Sequence, residues 1–253
     1  MPTDLLRIVE STTLDAEVIA SRTAQIHADV LGRSKYLNAP NFTKIHPDDL
    51  ALLFAAYDER FFGGQVKESL GAIPLRFRLS KRMTSSGGKT TRFANRSNGK
   101  QWYEISASTT MLFGCFTAED HRPVTTSGIT CRDRLDALQR VMEHEIVHLI
   151  EMLVWGESSC SQPRFHSITW RFFGHTQNKH NLITPKERAF VKFGIRPGVK
   201  VRFRFDGIEY AGVVNRVSKR ATVLVEDPRG RRYTDGKNYA KFYVPVQLLE
   251  AVK

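Results

Sequence analysis

The sequence predicts an α+β fold: helices with a small antiparallel or mixed sheet, followed by a small all-β barrel. Three observations carry this expectation. Apolar residues recur at helical spacing in segments 14–31, 48–62 and roughly 131–155. The stretch "IPLRFRLS" alternates strictly between apolar and polar residues, as a half-buried strand does. Beyond residue 195 the chain changes to short alternating segments joined by turn dipeptides.

Taken in order, Val18, Ile19, Ile26 and Val30 give the first helix its apolar stripe. Gly32, Pro40 and Pro47 break the pattern before a second helix, with Asp48 placed to cap it. Leu50, Phe54, Tyr57 and Phe61 form its inner face, and Gly63-Gly64 stop it. After the strand with Leu75, Phe77 and Leu79 inward, residues 81–100 read as a turn, a glycine-containing strand and a loop. "QWYEISAS" is the next strand, packing through Trp102 or Tyr103 and through Ile105. Thr130 and Asp133 are a capping pair for the long helix that Gly156 ends, and "FHSITWRFFGHT" returns to helix after a Ser-rich loop. In the last segment Asp206-Gly207 is the strongest hairpin signal, and "DPRG" reads as a further turn. These shifts divide the chain into a helical extension (1–45), a central domain (46–194) and a β unit (195–253).

A chain of 253 residues with 41% hydrophobic and 25% charged content is that of an ordinary globular protein. No apolar run is long enough to span a bilayer, and the N-terminus lacks the basic-then-apolar order of a secretory signal. Cys115, Cys131 and Cys160 are odd in number and have no CxxC spacing, which points to reduced thiols. An intracellular protein, cytoplasmic or nucleoid/nuclear, is therefore expected. The net charge of +12 is concentrated in two blocks. Residues 73–100 carry eight Lys/Arg and no acid, and residues 195–253 carry thirteen against six acids. Such blocks suit a polyanionic partner such as nucleic acid.

The chemistry lies in "QRVMEHEIVHLIEML", residues 139–153. Residues four apart share a helix face, so His144 and His148 can present imidazole nitrogens to one metal ion. Glu145, turned roughly 100° away, can reach a water at the metal's open position and accept its proton. Ile146, Val147, Leu149 and Ile150 surround these polar residues, so this part of the helix is inside and its imidazoles need a partner. A catalytic zinc requires a third protein ligand. His166 is the first choice, 18 residues past His148 across a Gly/Ser/Pro loop. Glu151 would need strained geometry, His175 and His180 read as surface or capping residues, and Cys160 would give a less usual catalytic set.

In order along residues 48–183, these features resemble the SprT-like zinc metallopeptidases. "LALLFAAYDERFFGG" resembles the opening helix of that family, "LRFRLSKRMTSSGGKT" and "YEISAS" its strands, and "RLDALQRVMEHEIVHLIE" its HExxH helix. "FHSITWRFFGHT" resembles the third-ligand segment, with Ser167 and Trp170 where the family has glycine and phenylalanine. The resemblance implies a zincin-like domain with one zinc per chain, His144, His148 and His166 as ligands, and Glu145 as general base and acid. It implies a protein substrate, cut while bound or crosslinked to DNA. No Cys-rich zinc ribbon follows; the β unit, similar in strand count to small SH3 or KOW barrels, occupies that place.

DNA phosphates would meet Arg76, Arg78, Lys81, Arg82, Lys89, Arg92 and Arg96, and the 195–253 block would add affinity. Arg76 and Arg78 also alternate with core residues, as on the wet face of any strand. Phe203, Phe205, Tyr210, Tyr233 and Tyr243 are either base-stacking residues or barrel core. Two alternatives stand beside the peptidase: a non-proteolytic zinc-containing nucleic-acid-binding module, and a hydrolase of another amide or ester. Glu145 argues against a purely structural zinc, which needs no base beside its ligands.

Overall fold

The computed structural model describes residues 3–252, and the chain divides into two compact units between Leu182 and Ile183. The first opens with helices α1 (Thr3–Ser11), α2 (Ala16–Arg33), α3 (Pro47–Phe62) and α4 (Gln65–Leu70). Strands β1 (Leu75–Ser80), β2 (Gly88–Ala94) and β3 (Gln101–Ser108) follow. Helix α5 (Thr109–Phe113) and the two-residue strands β4 (Thr125–Thr126) and β5 (Ile129–Thr130) lead to the long helix α6 (Arg134–Trp155). Helix α7 (Pro163–Phe173) and strand β6 (His180–Asn181) complete the unit. The architecture is mixed α+β.

Residues 3–45 fold into this unit. Leu5, Val9, Ile26 and Val30 are buried. Gln139 on α6 donates to the Thr23 carbonyl, and the Arg171 guanidinium donates to the carbonyls of Val9 and Thr12. The cap of α3 is His46 rather than Asp48. Its ring accepts the Asp48 N–H while the Asp49 carboxylate accepts the His46 N–H. Pro47 explains the shift, since its fixed φ and missing N–H suit the first helical position and make His46, two residues before Asp48, the cap.

The sheet order is β1-β3-β2, with β1 parallel and β2 antiparallel to β3, so β2 is an edge. Directly paired residues share a face. Phe77, Ile105 and Thr90 lie on the inner face, with Tyr103 and Ala107. Tyr103 therefore packs inside at 4% exposure. Trp102 takes the outer face, its ring 5.0 Å from that of Phe93 and 4.8 Å from the Arg76 guanidinium.

The second unit begins with helix α8 (Pro185–Phe193), which starts on a Thr184/Glu187 capping box. Strands β7 (Lys200–Phe205), β8 (Ile208–Val217), β9 (Ala221–Arg232), β10 (Asn238–Val244) and β11 (Glu250–Ala251) follow. They form an open antiparallel sheet, β10-β9-β8-β7-β11, and not the expected closed barrel. Strand β11 is only two residues long, and α8 does part of the covering that closure would do. Ala189 and Ile195 join Val201, Phe203, Val214 and Val223 in one core. Asp206-Gly207 forms the predicted two-residue hairpin, with φ of 49° and 78°. "DPRG" is not a turn: β9 runs through it, and the chain reverses around Gly236. Gly230 permits this, because a Cβ there would lie 2.3 Å from the Tyr239 backbone carbon. Among the described residues no helix is long and apolar enough to cross a membrane.

The helix that carries the candidate site is fixed at both ends. Asp133 accepts the Asp136 N–H at 2.8 Å, and Gly156 ends the helix at φ 78°. His27 reaches the same carboxylate at 3.1 Å. Burial works against the Asp133 charge, but His27, the Asp136 N–H and Arg132 outweigh it and hold its pKa below the ordinary carboxylate value. A depressed folded pKa gives stability that is complete above the unfolded pKa and disappears as pH falls through the folded one. Asp133→Ala is expected to cost about 1–2 kcal/mol. Asp133→Asn, which keeps an acceptor, should mainly flatten the acid limb below about pH 4. Denaturant unfolding at several pH values measures both; an Ala variant as stable as the parent would remove the cap.

Candidate metal centre

Helix α6 places His144 and Glu145 inside and His148 at the edge of a cleft of about 460 Å³. Their approach to the sheet is set by Gly87 and Gly88. A Cβ on Gly88 would stand 2.6 Å from Glu145 Oε1 and 2.7 Å from Val141 Cγ1. One on Gly87 would stand 2.9 Å from Val141 Cγ2 and 3.2 Å from His180 Cγ. Only glycine lets edge strand β2 lie this close to the helix. The Thr90 hydroxyl, next along β2, lies 2.8 Å from Glu145 Oε2 and 2.9 Å from the Glu145 carbonyl, fixing the carboxylate.

The two imidazole Nε2 atoms lie 3.1 Å apart. A chain of hydrogen bonds determines the state of one of them. Ser158 donates its single hydroxyl proton to Glu151 at 2.6 Å, and His148 Nδ1 stands 2.7 Å from the same oxygen. Ser158 can then only accept, so the His148 proton is on Nδ1. Burial lowers the His148 pKa despite Glu145 and Glu151, which keeps the ring neutral and leaves Nε2 as a bare lone pair. His144 is pushed lower still, by burial first and then by His180 and His148. Its Nδ1 is buried with no hydrogen-bond partner. The Phe165 ring packs 4.7 Å from His144 and 4.5 Å from His148, holding both in place.

This arrangement fits a metal. Two nitrogens bound at 2.0–2.1 Å in tetrahedral geometry stand about 3.3 Å apart, close to the separation here. Three-donor groups form in two combinations among the described residues: His144, His148 and Cys160, and His144, Glu145 and His180. Donor atoms within each group lie within 4.8 Å of one another. His166 joins neither, and it is exposed on α7. The reason is local: Phe165 takes the inward position against the histidine rings, and the next residue on a helix points roughly 100° away. Glu151 is held by Ser158 and by Arg164 at 2.7 Å, so it supports the site from behind.

Two other histidines depart from the surface or capping roles expected of them. His175 is 4% exposed and bonds Glu143 at 2.7 Å, within a buried group completed by Tyr57 and Arg140. His180 reaches the site from β6, its ring 4.5 Å from His144 and its Nε2 3.8 Å from Glu145 Oε1. Neither position had a signal in the sequence beyond being a histidine downstream of the helix. Cys160 enters on the loop between α6 and α7, and burial raises its thiol pKa.

Arg76, Arg78, Lys81, Arg82, Lys89, Arg92 and Arg96 are all exposed. They do not share one face. Arg76, Arg78 and Lys89 lie on the outer face of the sheet, whereas Arg92 pairs with Tyr103 on the other. Arg78 is engaged by Glu104 at 3.6 Å. A larger cleft of about 800 Å³, between Ile73, Arg76, Lys100 and Trp102, lies on this sheet and has no metal-ligating group. Compared with known families, with curated proteins and with solved structures, the chain finds no match in any of the three.

The glycine contact can be tested directly. Gly88→Ala is expected to overpack the β2–α6 contact at a cost of about 1–3 kcal/mol, read as a lower unfolding midpoint. A variant with the parent's stability would show that β2 does not lie against Glu145.

Proposed function

We propose that the first unit is a zinc-dependent metallopeptidase of SprT-like, zincin-like type that hydrolyses peptide bonds. One observation carries this reading: two neutral imidazoles on successive turns converge through Nε2, with a buried glutamate beside them. Among the described residues, His144 Nε2 faces no hydrogen-bond partner other than the second imidazole. Zinc bound there would supply Lewis acidity, polarising a carbonyl and lowering the pKa of a water toward neutrality. Glu145 would take the proton from the attacking water and return it to the departing amine. Thr90 holds Glu145 Oε2, so Oε1, 3.8 Å from His180 Nε2, would be the oxygen that takes the proton. Edge strand β2 lines the same cleft, and its unpaired backbone suits an extended peptide added as a further strand.

Glu145→Gln is nearly isosteric and removes the base. It should retain one zinc per chain while peptide cleavage falls by at least about 10²–10⁴-fold. Metal analysis and cleavage of an unfolded protein substrate measure the two separately. Cleavage at the parent's rate would remove Glu145 from the mechanism. Cleavage absent from both proteins, with zinc bound, would favour the alternative of a non-proteolytic zinc-containing module.

The substrate class we propose is protein bound or crosslinked to DNA, supported by the basic segments 73–100 and 195–253. Lys81, Arg82, Lys89, Arg92 and Arg96 have no acidic partner among the described residues. Binding through such groups is phosphate-directed, with log K falling by about 0.7–0.9 per phosphate contact for each tenfold rise in salt. Replacing Arg82 and Lys89 by Glu should weaken DNA binding and flatten that slope. Affinity independent of salt would rule out the phosphate contacts.

A further inference from the structure

We infer that Cys160 is the third protein ligand of the metal held by His144 and His148. This rests on the metal reading above and deepens it. The sulfur of Cys160 and ligand nitrogens of both histidines lie within 4.8 Å of one another. The other group, with His180, would have to take Glu145 as a ligand and leave out His148. His144 and His148 lie on one helix face with their Nε2 atoms converging, so the set that uses both is the one the backbone has prepared. His144 is 4% exposed, and its Nε2 lies 3.1 Å from that of His148.

The loop carrying Cys160 is held on both sides of that residue. Ser158, two positions earlier, is bonded to His148 and Glu151. The Cys160 carbonyl accepts from the Asn178 side chain at 2.6 Å, and the Gln162 N–H closes a turn on the Ser159 carbonyl at 3.0 Å. Ser158 thus does two things: it orients the His148 ring and anchors the segment that delivers the sulfur. Thiolate with two imidazoles is a donor set that suits zinc and cobalt. Ligation replaces the thiol proton, which is released to solvent. The set uses neither Glu145 nor His180, so both remain beside the cleft for the substrate. Cys115 and Cys131 are 0% and 5% exposed in the core and belong to neither donor group, so one thiol only is in play.

Cobalt(II) separates this inference from the metal reading. The full-length protein should bind one cobalt per chain and show a near-ultraviolet thiolate-to-cobalt charge-transfer band. Cys160→Ser should lose the band, whereas His166→Ala should keep both band and stoichiometry. Zinc should also protect Cys160 from alkylation, read by mass spectrometry on the unmutated protein, which needs no variant to fold. Cobalt bound without the band, or a band that survives in Cys160→Ser, would overturn the cysteine while leaving a metal site. Loss of metal in a folded His166→Ala variant would assign the third ligand to α7 and equally overturn it. No metal bound at all would remove the zinc reading itself, and this inference with it.

Discussion

Helix α6 is buried from Arg134 to Glu151 except at His148, and eight residues on that stretch are buried and polar or charged. The rest of the first unit is arranged around that constraint, because a buried polar group without a partner costs about 1–3 kcal/mol and a buried charge more. Arg134 is answered by the carbonyls of Leu112, Phe42 and Cys115. Glu143 is answered by Tyr57, Arg140 and His175, Glu145 by Thr90, and Glu151 by Ser158 and Arg164. At His144 the pattern stops. One ring nitrogen has no partner and the other meets a second imidazole, whose own tautomer presents a lone pair. The helix has protein partners for its carboxylates, whereas its two imidazoles meet one another through Nε2, and the proposed metal site rests on that difference.

What could be read in the sequence follows from the range of the interactions involved. The α6 helix and its Gly156 stop, strands β1 and β3, and the Asp206-Gly207 hairpin depend on residues within a few positions of one another, although the helix starts at Arg134 on Asp133 alone and not near 131 on a Thr130/Asp133 pair, because Thr130 is taken into β5. His144, Glu145 and His148 were legible for the same reason, being one helical turn. The third donor was not. Whether His166, Cys160 or His180 reaches the pair depends on which side of α7 is apolar and on how two loops are tied down. Phe165 decides the first, and Ser158 and Asn178 decide the second for Cys160, through contacts that no local pattern encodes. Gly87-Gly88 could be seen as a pair, but only the distances to Val141 and Glu145 show that they exclude a side chain.

The second unit shows the same division. Alternation identified its strands, and Phe203 is core at 3% exposure, whereas Phe205 and Tyr243 are exposed at 50% and 65%. Closure was not legible, because it depends on how much of the apolar face other elements cover. Thr184, Pro185 and Glu187 carry a helix-start signature, and α8 provides that cover. A sheet with a helix on its face has less need to curl shut than one that must bury both ends of its own strands.

The buried charges behind the site bear on its precision more than on its stability. An enclosed ion-pair cluster such as Arg140, Glu143, His175 and Tyr57 contributes little net stability over apolar residues of the same volume. It does impose register. Glu143 can accept from Tyr57 on α3 and from His175 beyond α7 together only at one rotation and one height of α6. The next residue is His144, so the rotation that satisfies Glu143 also sets the direction of the His144 ring. Displacing the helix by one residue would bring an apolar Met142 or a second imidazole before Tyr57 and His175, leaving a buried hydroxyl and a buried imidazole without their carboxylate. The placement of the His144–His148 pair is therefore a consequence of satisfying a carboxylate on the same turn.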